Sequence, residues 1–426
     1  MLDERTRASS VKRRPRTLEA ALGDRPDANL AIVSVPGAYA ALEARTALRR
    51  GLHVFLFSDN VPLAEEVELK RLAASRQLLC MGPDCGTAYL GGVGLGFANV
   101  VPRGRVGCVA ASGTGLQAVV TRLAALGEGV SHGIGVGGRD LSGEVGGTMT
   151  QLALATLARD ARTQAMVVIS KPPSPAVLPA LEAAIRSAGK PVVVCCLGAV
   201  RPSGAPGTWV GTLDDAADAV VALLRRSPWT PGSFSDPHAV RARVAALGTA
   251  RGSLLGLYTG GTLAYEARLL LEPLLGSVGG NVGGGHAGGA GGHQILDTGA
   301  DEFTVGRPHP MLDPDARAVR VREAGRDGHV GVLLLDLVLG RGAHANPADA
   351  LARAVREARE TAARAGRSLL AVASVVGTEA DPQGLRAQVD QLRVAGVEVL
   401  PSNAQAARFA ALALRADLAP MLLGPR

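Results

Sequence analysis

Aromatic residues are scarce in this chain, with Phe, Trp and Tyr making up 3% of 426 residues. Their scarcity removes the stacking platforms on which single-stranded nucleic acids are held. It also obliges the cores to be built from Leu, Val and Ala, within a hydrophobic content of 47%. Cysteine is rare as well. The five residues, Cys80, Cys85, Cys108, Cys195 and Cys196, show no CxxC spacing, and Cys108, Cys195 and Cys196 lie inside apolar runs, as small hydrophobes do. An odd count without a pattern argues against a disulfide framework and for a reducing compartment. No apolar stretch reaches membrane-spanning length, and the N-terminus lacks an apolar signal core. A soluble, cytoplasmic protein is expected, with no membrane partner and no metal site.

A basic stripe is missing too, although the net charge is +7. Part of the excess sits in Arg5, Arg7, Lys12, Arg13, Arg14 and Arg16, where no apolar period exists, so residues 1–28 read as a disordered lead-in. The other arginines are interspersed with Glu and Asp on helix faces, where they are solvated. Nucleic acid is not an expected partner.

Glycine is abundant, at 55 residues, and much of it follows short apolar runs. These runs alternate with helix-length amphipathic segments, the pattern of βαβ units and a parallel sheet. The expected class is α/β, as successive flavodoxin-like or Rossmann-like parallel-sheet domains. A first block, 29–103, looks short for a complete domain. A second spans 104–226, residues 227–251 read as a linker, and a third block spans 252–426. Within the third, 276–292 contains ten glycines in seventeen residues and reads as a mobile loop. The second and third blocks open alike, with VGCVAASGTGLQAVV against LLGLYTGGTLAYEAR. Each is a buried strand, a small-residue turn and a helix.

Such a turn gathers unpaired backbone N–H groups and the positive end of a helix dipole at one point, which suits an oxyanion. The candidate phosphate-binding residues are therefore Ser112, Gly113, Thr114 and Gly115 in the first turn and Thr259, Gly260, Gly261 and Thr262 in the second. If the two blocks pack face to face, both helix N-termini converge on one phosphate. Gly137 and Gly138 open the backbone after another strand, beside Arg139, which can clamp an oxyanion with two parallel hydrogen bonds. Asp140 or Glu144 would orient Arg139 or act on a proton; the bland alternative is a turn with an ion pair. Lys171 ends a strand before Pro172 and Pro173, a position suited to a substrate-facing cation. The irregular segment Asp297–Asp313 carries Arg307 and His309 between prolines. Arg307 suits a carboxylate or phosphate, and His309 a general acid–base or phosphoryl-acceptor role. The catalytic candidates are Arg139, Asp140, Arg307 and His309.

Six strings, MGPDCGT (81–87), ASGTGLQ (111–117), GIGVGGRDLSGEVGG (133–147), SKPP (170–173), LYTGGTLAYEA (257–267) and DEFTVGRPHPMLDP (301–314), resemble the FdrA family. That family is similar to succinyl-CoA synthetase, with regions like both its subunits in one chain. The resemblance implies that the two Gly turns meet at a phosphoryl group. It also implies a subunit of a hetero-oligomeric, phosphate-dependent carbamoyltransferase of ureide (allantoin) catabolism, exchanging a carbamoyl group between phosphate and oxamate. The synthetases carry a phosphorylated His in a GHAGA motif, whereas the matching region here, GAVRPSGAPGTWVG (198–211), has none. The GHAG string at Gly285–Gly288, with His286, falls in the third block. The resemblance begins after the turn that grips CoA in the synthetases, and no ATP-grasp domain is visible. No cofactor is therefore required, and phosphate or an acyl phosphate is the expected substrate. The alternatives are a nucleotide-dependent acyl-CoA synthetase and a non-catalytic anion-binding scaffold subunit.

Overall fold

Short Val-, Leu- and Ile-rich runs bounded by glycine become strands, and the longer amphipathic segments between them cross over as helices. The computed structural model describes residues 15–283 and 291–424. A first sheet contains β1 (Leu30–Val33), β2 (His53–Leu56) and β3 (Cys80–Met81), all parallel. It is accompanied by α1 (Leu18–Asp24), α2 (Gly37–Arg49) and α3 (Leu63–Ser75).

The second sheet starts with a hairpin, β4 (Thr87–Leu90) and β5 (Val93–Gly96). It continues through β6 (Arg103–Ala110), α4 (Gly113–Ala125), β7 (Val130–Gly135), α5 (Thr148–Arg159), β8 (Ala165–Ser170), α6 (Leu178–Ser187), β9 (Val192–Cys196), β10 (Thr208–Trp209) and α7 (Leu213–Arg225). Its strand order is β10-β9-β8-β6-β7-β4-β5. After α8 (Pro237–Leu247) the third sheet is built from β11 (Ser253–Tyr258), β12 (Val278–Gly280), β13 (His293–Asp297), β14 (Val330–Val338), β15 (Leu370–Val376) and β16 (Val397–Leu400). Its order is β12-β13-β11-β14-β15-β16, parallel throughout. Its helices are α9 (Gly261–Leu275), α10 (Asp301–Thr304), α11 (Asp315–Arg326), α12 (Pro347–Arg364), α13 (Leu385–Val394), α14 (Asn403–Leu414) and α15 (Ala419–Leu423).

Chain order and strand order together locate the site. β6 lies between β7 and β8, and β11 between β13 and β14. Each is the strand from which the chain departs to one side and later continues on the other. The crevice at the carboxyl end of such a strand is where open α/β sheets bind ligands. Both Gly turns follow these two strands. The second and third sheets share one core, in which Val106 and Leu116 pack in the same cluster as Leu254 and Leu263. A polar seam also joins them. Asn99 donates to Leu339 O at 3.0 Å and to Asp381 Oδ2 at 2.8 Å, and Val100 N donates to Asp381 Oδ1 at 2.6 Å.

Several sequence expectations need correction. Residues 87–96 do not complete the first sheet, because β4 pairs antiparallel with both β5 and β7 of the second. The expected lead-in holds α1, capped by the Thr17 hydroxyl, with Leu18 and Leu22 packed on the core shared by the first two sheets. The expected linker holds α8, capped by Asp236. Within the Gly-rich segment, Val278–Gly280 pairs with β13 rather than forming loop, since Val278 is buried in the shared core. Residues 284–290, including His286 and the GHAG string, and residues 1–14 lie outside the described residues. No helix among the described residues is long and apolar enough to cross a membrane. All five cysteines are buried and free, and burial pushes the thiols of Cys80, Cys85, Cys108 and Cys196 up to about 12.

Candidate functional site

The two Gly turns face each other across one cavity of about 640 Å³. Ser112, Gly113 and Thr114 line it from the second sheet, Thr259, Gly261 and Thr262 from the third. The turns touch, with Ser112 Oγ 2.6 Å from Thr262 Oγ1. The first N–H groups of α4 and α9 have no partner within their helices, so two positive helix ends meet in one cavity.

The two turns are braced differently. Ser112 caps its own helix by accepting Gly115 N at 2.9 Å, which takes Gly115 out of the cavity lining. The α9 turn has no such side-chain cap; a carboxylate from the neighbouring strand takes the part. Asp336 on β14 is fully buried. It accepts Thr259 N at 2.8 Å, Gly260 N at 2.9 Å and the Thr259 hydroxyl at 3.0 Å. Arg317 on α11 donates to it at 2.7 Å. Gly260 is therefore consumed by Asp336 and is not a lining residue, while Gly261 and Thr262 stay turned to the cavity. Asp336 was not among the sequence candidates; a lone Asp inside the apolar run VGVLLLDLVL was the signal.

Gly137, Gly138, Lys171, Arg307 and His309 also line the cavity. Gly137 has φ +84°, and a Cβ there would meet Pro83 O at 2.7 Å, so the loop carrying Asp84 packs directly on it. Lys171 Nζ lies 5.5 Å from the Tyr265 ring centre, a cation–π contact. Arg307 is exposed and makes no ion pair among the described residues, so its guanidinium is available to a ligand. His309 is partly buried and accepts Met311 N through Nδ1 at 3.2 Å, which places the proton of the neutral ring on Nε2. Burial lowers its pKa and outweighs the opposing field of Asp336, so His309 is a neutral hydrogen-bond donor. Its ring lies 6.1 Å from Phe97, which in turn lies 5.7 Å from Phe57. A chain poor in aromatics thus puts both on one cavity wall.

Arg139 and Asp140 do not belong to this site. Asp140 is fully buried and accepts Lys70 Nζ at 2.9 Å, Thr150 N at 2.8 Å and Thr150 Oγ1 at 2.7 Å. Lys70 also lies 2.8 Å from Glu66 Oε1. Arg139 spends its guanidinium on Glu66 Oε2 at 2.7 Å and Val61 O at 2.8 Å. Glu66, not Asp140 or Glu144, orients it. These groups form a network that ties α3 to the loop before α5. The spacing of GGRD could not show this, because the partners lie about 70 residues earlier, on another sheet's helix.

The cavity also holds carboxylates that sequence reasoning did not single out as a group: Asp59, Asp84, Asp297 and Asp301. Asp84 is exposed on the cavity wall. Burial, then Asp59 and Asp301, push its pKa up to about 6. Asp297 Oδ1 accepts Gly299 N at 2.9 Å; burial and Asp336 raise its pKa to about 6 against the opposing pull of Lys171. Protonated, either can donate to a phosphoryl oxygen or deliver a proton. Among the described residues no group of three or more His, Cys, Asp or Glu side chains could hold a metal ion.

The raised values have a definite sign. Between the unfolded value of 3.8 and about 6, the folded state holds protons that the unfolded chain has lost. The stability these two groups contribute falls as pH rises through that window and is gone above it. An anion placed beside them favours their protonated forms. Sulfate, whose own charge is constant over this range, should therefore bind about tenfold tighter at pH 5.5 than at pH 7.5. Calorimetry on the wild type and on Asp84→Asn/Asp297→Asn checks this, since the double variant should lose most of the pH dependence and keep only what protonation of His309 contributes.

The CoA-ligase family model matches residues 257–413, from the end of β11 to α14. YahF, an uncharacterized protein of Escherichia coli K12, is 38% identical over 413 residues, covering 95% of this chain and 80% of that one. The alpha subunit of an ADP-forming succinate–CoA ligase from Staphylococcus epidermidis is 29% identical over 181 residues. That match covers 42% of this chain, which spans about three fifths (59%) of the subunit. A dinucleotide-forming acetyl-coenzyme A synthetase 1 from Ca. Korarchaeum cryptofilum, solved with phosphate and ADP, covers 93% of this chain and 84% of its own at 15% identity and a TM-score of 0.35. The chain belongs to the same family as YahF, a succinyl-CoA synthetase-like family with a CoA-ligase domain in its C-terminal part.

Proposed function

We propose that this chain handles an acyl phosphate, holding the phosphoryl group between the N-termini of α4 and α9 and passing the acyl group to or from phosphate, as an acid–CoA ligase does. The observation that carries this is the 2.6 Å contact between Ser112 and Thr262, which brings two independent helix ends to one point. Two convergent dipoles with Gly113, Thr114, Gly261 and Thr262 stabilise negative charge on phosphate as it leaves the acyl carbon. Lys171 and Arg307 add positive charge. In the reaction the acyl carbon–oxygen bond of the acyl phosphate breaks and a bond to the thiol sulfur of CoA forms. A carboxylate that lines the cavity, such as Asp84, would take the thiol proton. Other protein subunits would supply what the cavity lacks.

The carboxylate wall favours a second reading, on the FdrA resemblance. Asp59, Asp84 and Asp301 can accept N–H groups, which a carbamoyl phosphate and an oxamate acceptor present and a thiol does not. Incubating the chain, alone and with proteins that co-purify, with acetyl, succinyl or carbamoyl phosphate separates the two. CoA-dependent phosphate release with thioester formation supports the first. Release from carbamoyl phosphate that needs oxamate and not CoA supports the second, and no phosphate binding or release overturns both.

Arg307→Lys tests the oxyanion clamp, because lysine keeps the charge and loses the fork. Turnover should fall roughly 10²–10³-fold, while the melting temperature barely moves, since the side chain is exposed and unpaired. Near-normal turnover would make the loop structural.

A further inference from the structure

Lys171 is an unanchored cation in the cavity that holds the two Gly turns. β8 pairs with β6, and Ala111 N donates to Ile169 O at 2.8 Å, so the chain leaving β8 emerges beside the Ser112 turn. Pro172 and Pro173 follow Lys171 and stiffen its backbone through their fixed φ. The side chain itself is exposed and has neither a hydrogen bond nor an ion pair among the described residues. A free four-carbon stem sweeps many rotamers, and fixing its direction costs entropy. The group that meets it is the Tyr265 ring, 5.5 Å from Nζ. Tyr265 belongs to the third sheet's α9, one turn beyond Gly261. Its ring has little freedom. A Cβ on Gly283, after β12, would lie 2.5 Å from the ring, and one on Gly198, after β9, would lie 3.2 Å from the hydroxyl. Backbone from both sheets therefore closes on the tyrosine. The Lys171 charge is felt at Asp297, whose Oδ2 stands beside Gly261, so the ammonium acts close to the α9 N-terminus.

We infer that Tyr265 is a positioning residue for phosphate binding, its ring holding the Lys171 ammonium towards the anion between the two turns. The inference rests on the proposed function and adds to it a contact that couples the two sheets. Lys171 comes from β8 and Tyr265 from α9, so the ammonium is aimed only where the sheets pack as they do when Ser112 meets Thr262. An aromatic face suits this task better than a carboxylate. It attracts the cation without neutralising it, and the ammonium keeps its three donors for phosphoryl oxygens. A carboxylate in the same place would hold Lys171 against the ligand.

Calorimetric titration of inorganic phosphate into the full chain tests this, with melting curves as the check on folding. Tyr265→Leu should weaken binding about 3- to 10-fold. Tyr265→Phe keeps the ring and should stay within about twofold of the wild type. In a Lys171→Met background, Tyr265→Leu should add nothing, because no ammonium is left to aim. A second readout needs no variant at position 265. The chain has four lysines, so with 13C-labelled lysine the ε-methylene of Lys171 is the signal that Lys171→Met removes. In the wild type it should lie upfield, under the ring, and should move as phosphate is added. Wild-type affinity in Tyr265→Leu overturns the inference, as does an equal loss in the Lys171→Met background or a Lys171 signal without a ring shift. An equal loss in Tyr265→Phe also overturns it, by assigning the effect to the hydroxyl. Those results leave the proposed function standing, whereas a wild type that binds no phosphate removes that reading and the inference with it.

Discussion

Gly261→Val is expected to lower phosphate affinity about 10²-fold or more, the equivalent of losing two hydrogen bonds to a charged group at roughly 1.5–3 kcal/mol each. A Cβ at Gly261 would come within 2.4 Å of Asp297 Oδ2, so the added side chain displaces Asp297 or the turn, and its methyls occupy the space before the α9 N-terminus. The opposite turn gives a contrast. At Gly113 the nearest atom to a new Cβ is Thr87 Oγ1 at 3.4 Å. Gly113→Ala should therefore fold normally and weaken phosphate only modestly. Calorimetric titration of both variants, with melting curves as the check on folding, reads the difference. Equal, wild-type affinity in Gly261→Val would take the α9 turn out of the site.

The largest stability effect belongs to Asp336→Ala. It strips the acceptor from Thr259 N and Gly260 N and leaves Arg317, itself 2% exposed, without its counter-charge. Removing one partner of a buried pair costs about 3–5 kcal/mol. Burial already depresses the Arg317 pKa below its usual value, opposed by Asp336, so the loss of the carboxylate leaves that burial unopposed. Asp336→Asn keeps an acceptor oxygen for the turn and should lose less. Urea titration followed by circular dichroism measures both, and an unchanged midpoint in Asp336→Ala would show that the turn is held by its backbone alone.

The strand–turn–helix units were legible because their signals are local. An apolar run followed by SGTG or TGGT has few other solutions, and the similarity of the two turns foretold their equivalent positions, each after a strand flanked by later ones. What the sequence left unread depended on distant partners. Arg139 and Asp140 look like a free clamp in GVGGRD, but Glu66 and Lys70 on α3 neutralise them. The β4–β5 hairpin was missed because glycine-rich GGVGLG has little strand propensity, and it is held by pairing with β7 and by the Thr87 hydroxyl donating to Phe97 O at 2.7 Å. The first two-sheet boundary was misplaced for the same reason. Asp84 stands in the motif string MGPDCGT, but its altered acidity arises from burial and from two other carboxylates that only the fold brings near.

On the proposed function, one anion is shared by two helix N-termini from two sheets. Titrating inorganic phosphate into chain labelled with 15N at glycine and threonine, and following the amides of Gly113, Thr114, Gly261 and Thr262, tests it most directly. Both pairs should shift together along one binding curve with a single dissociation constant, and Gly261→Val should abolish the response at Gly113 and Thr114 as well. Shifts confined to one turn, or two curves with different constants, would contradict a shared site.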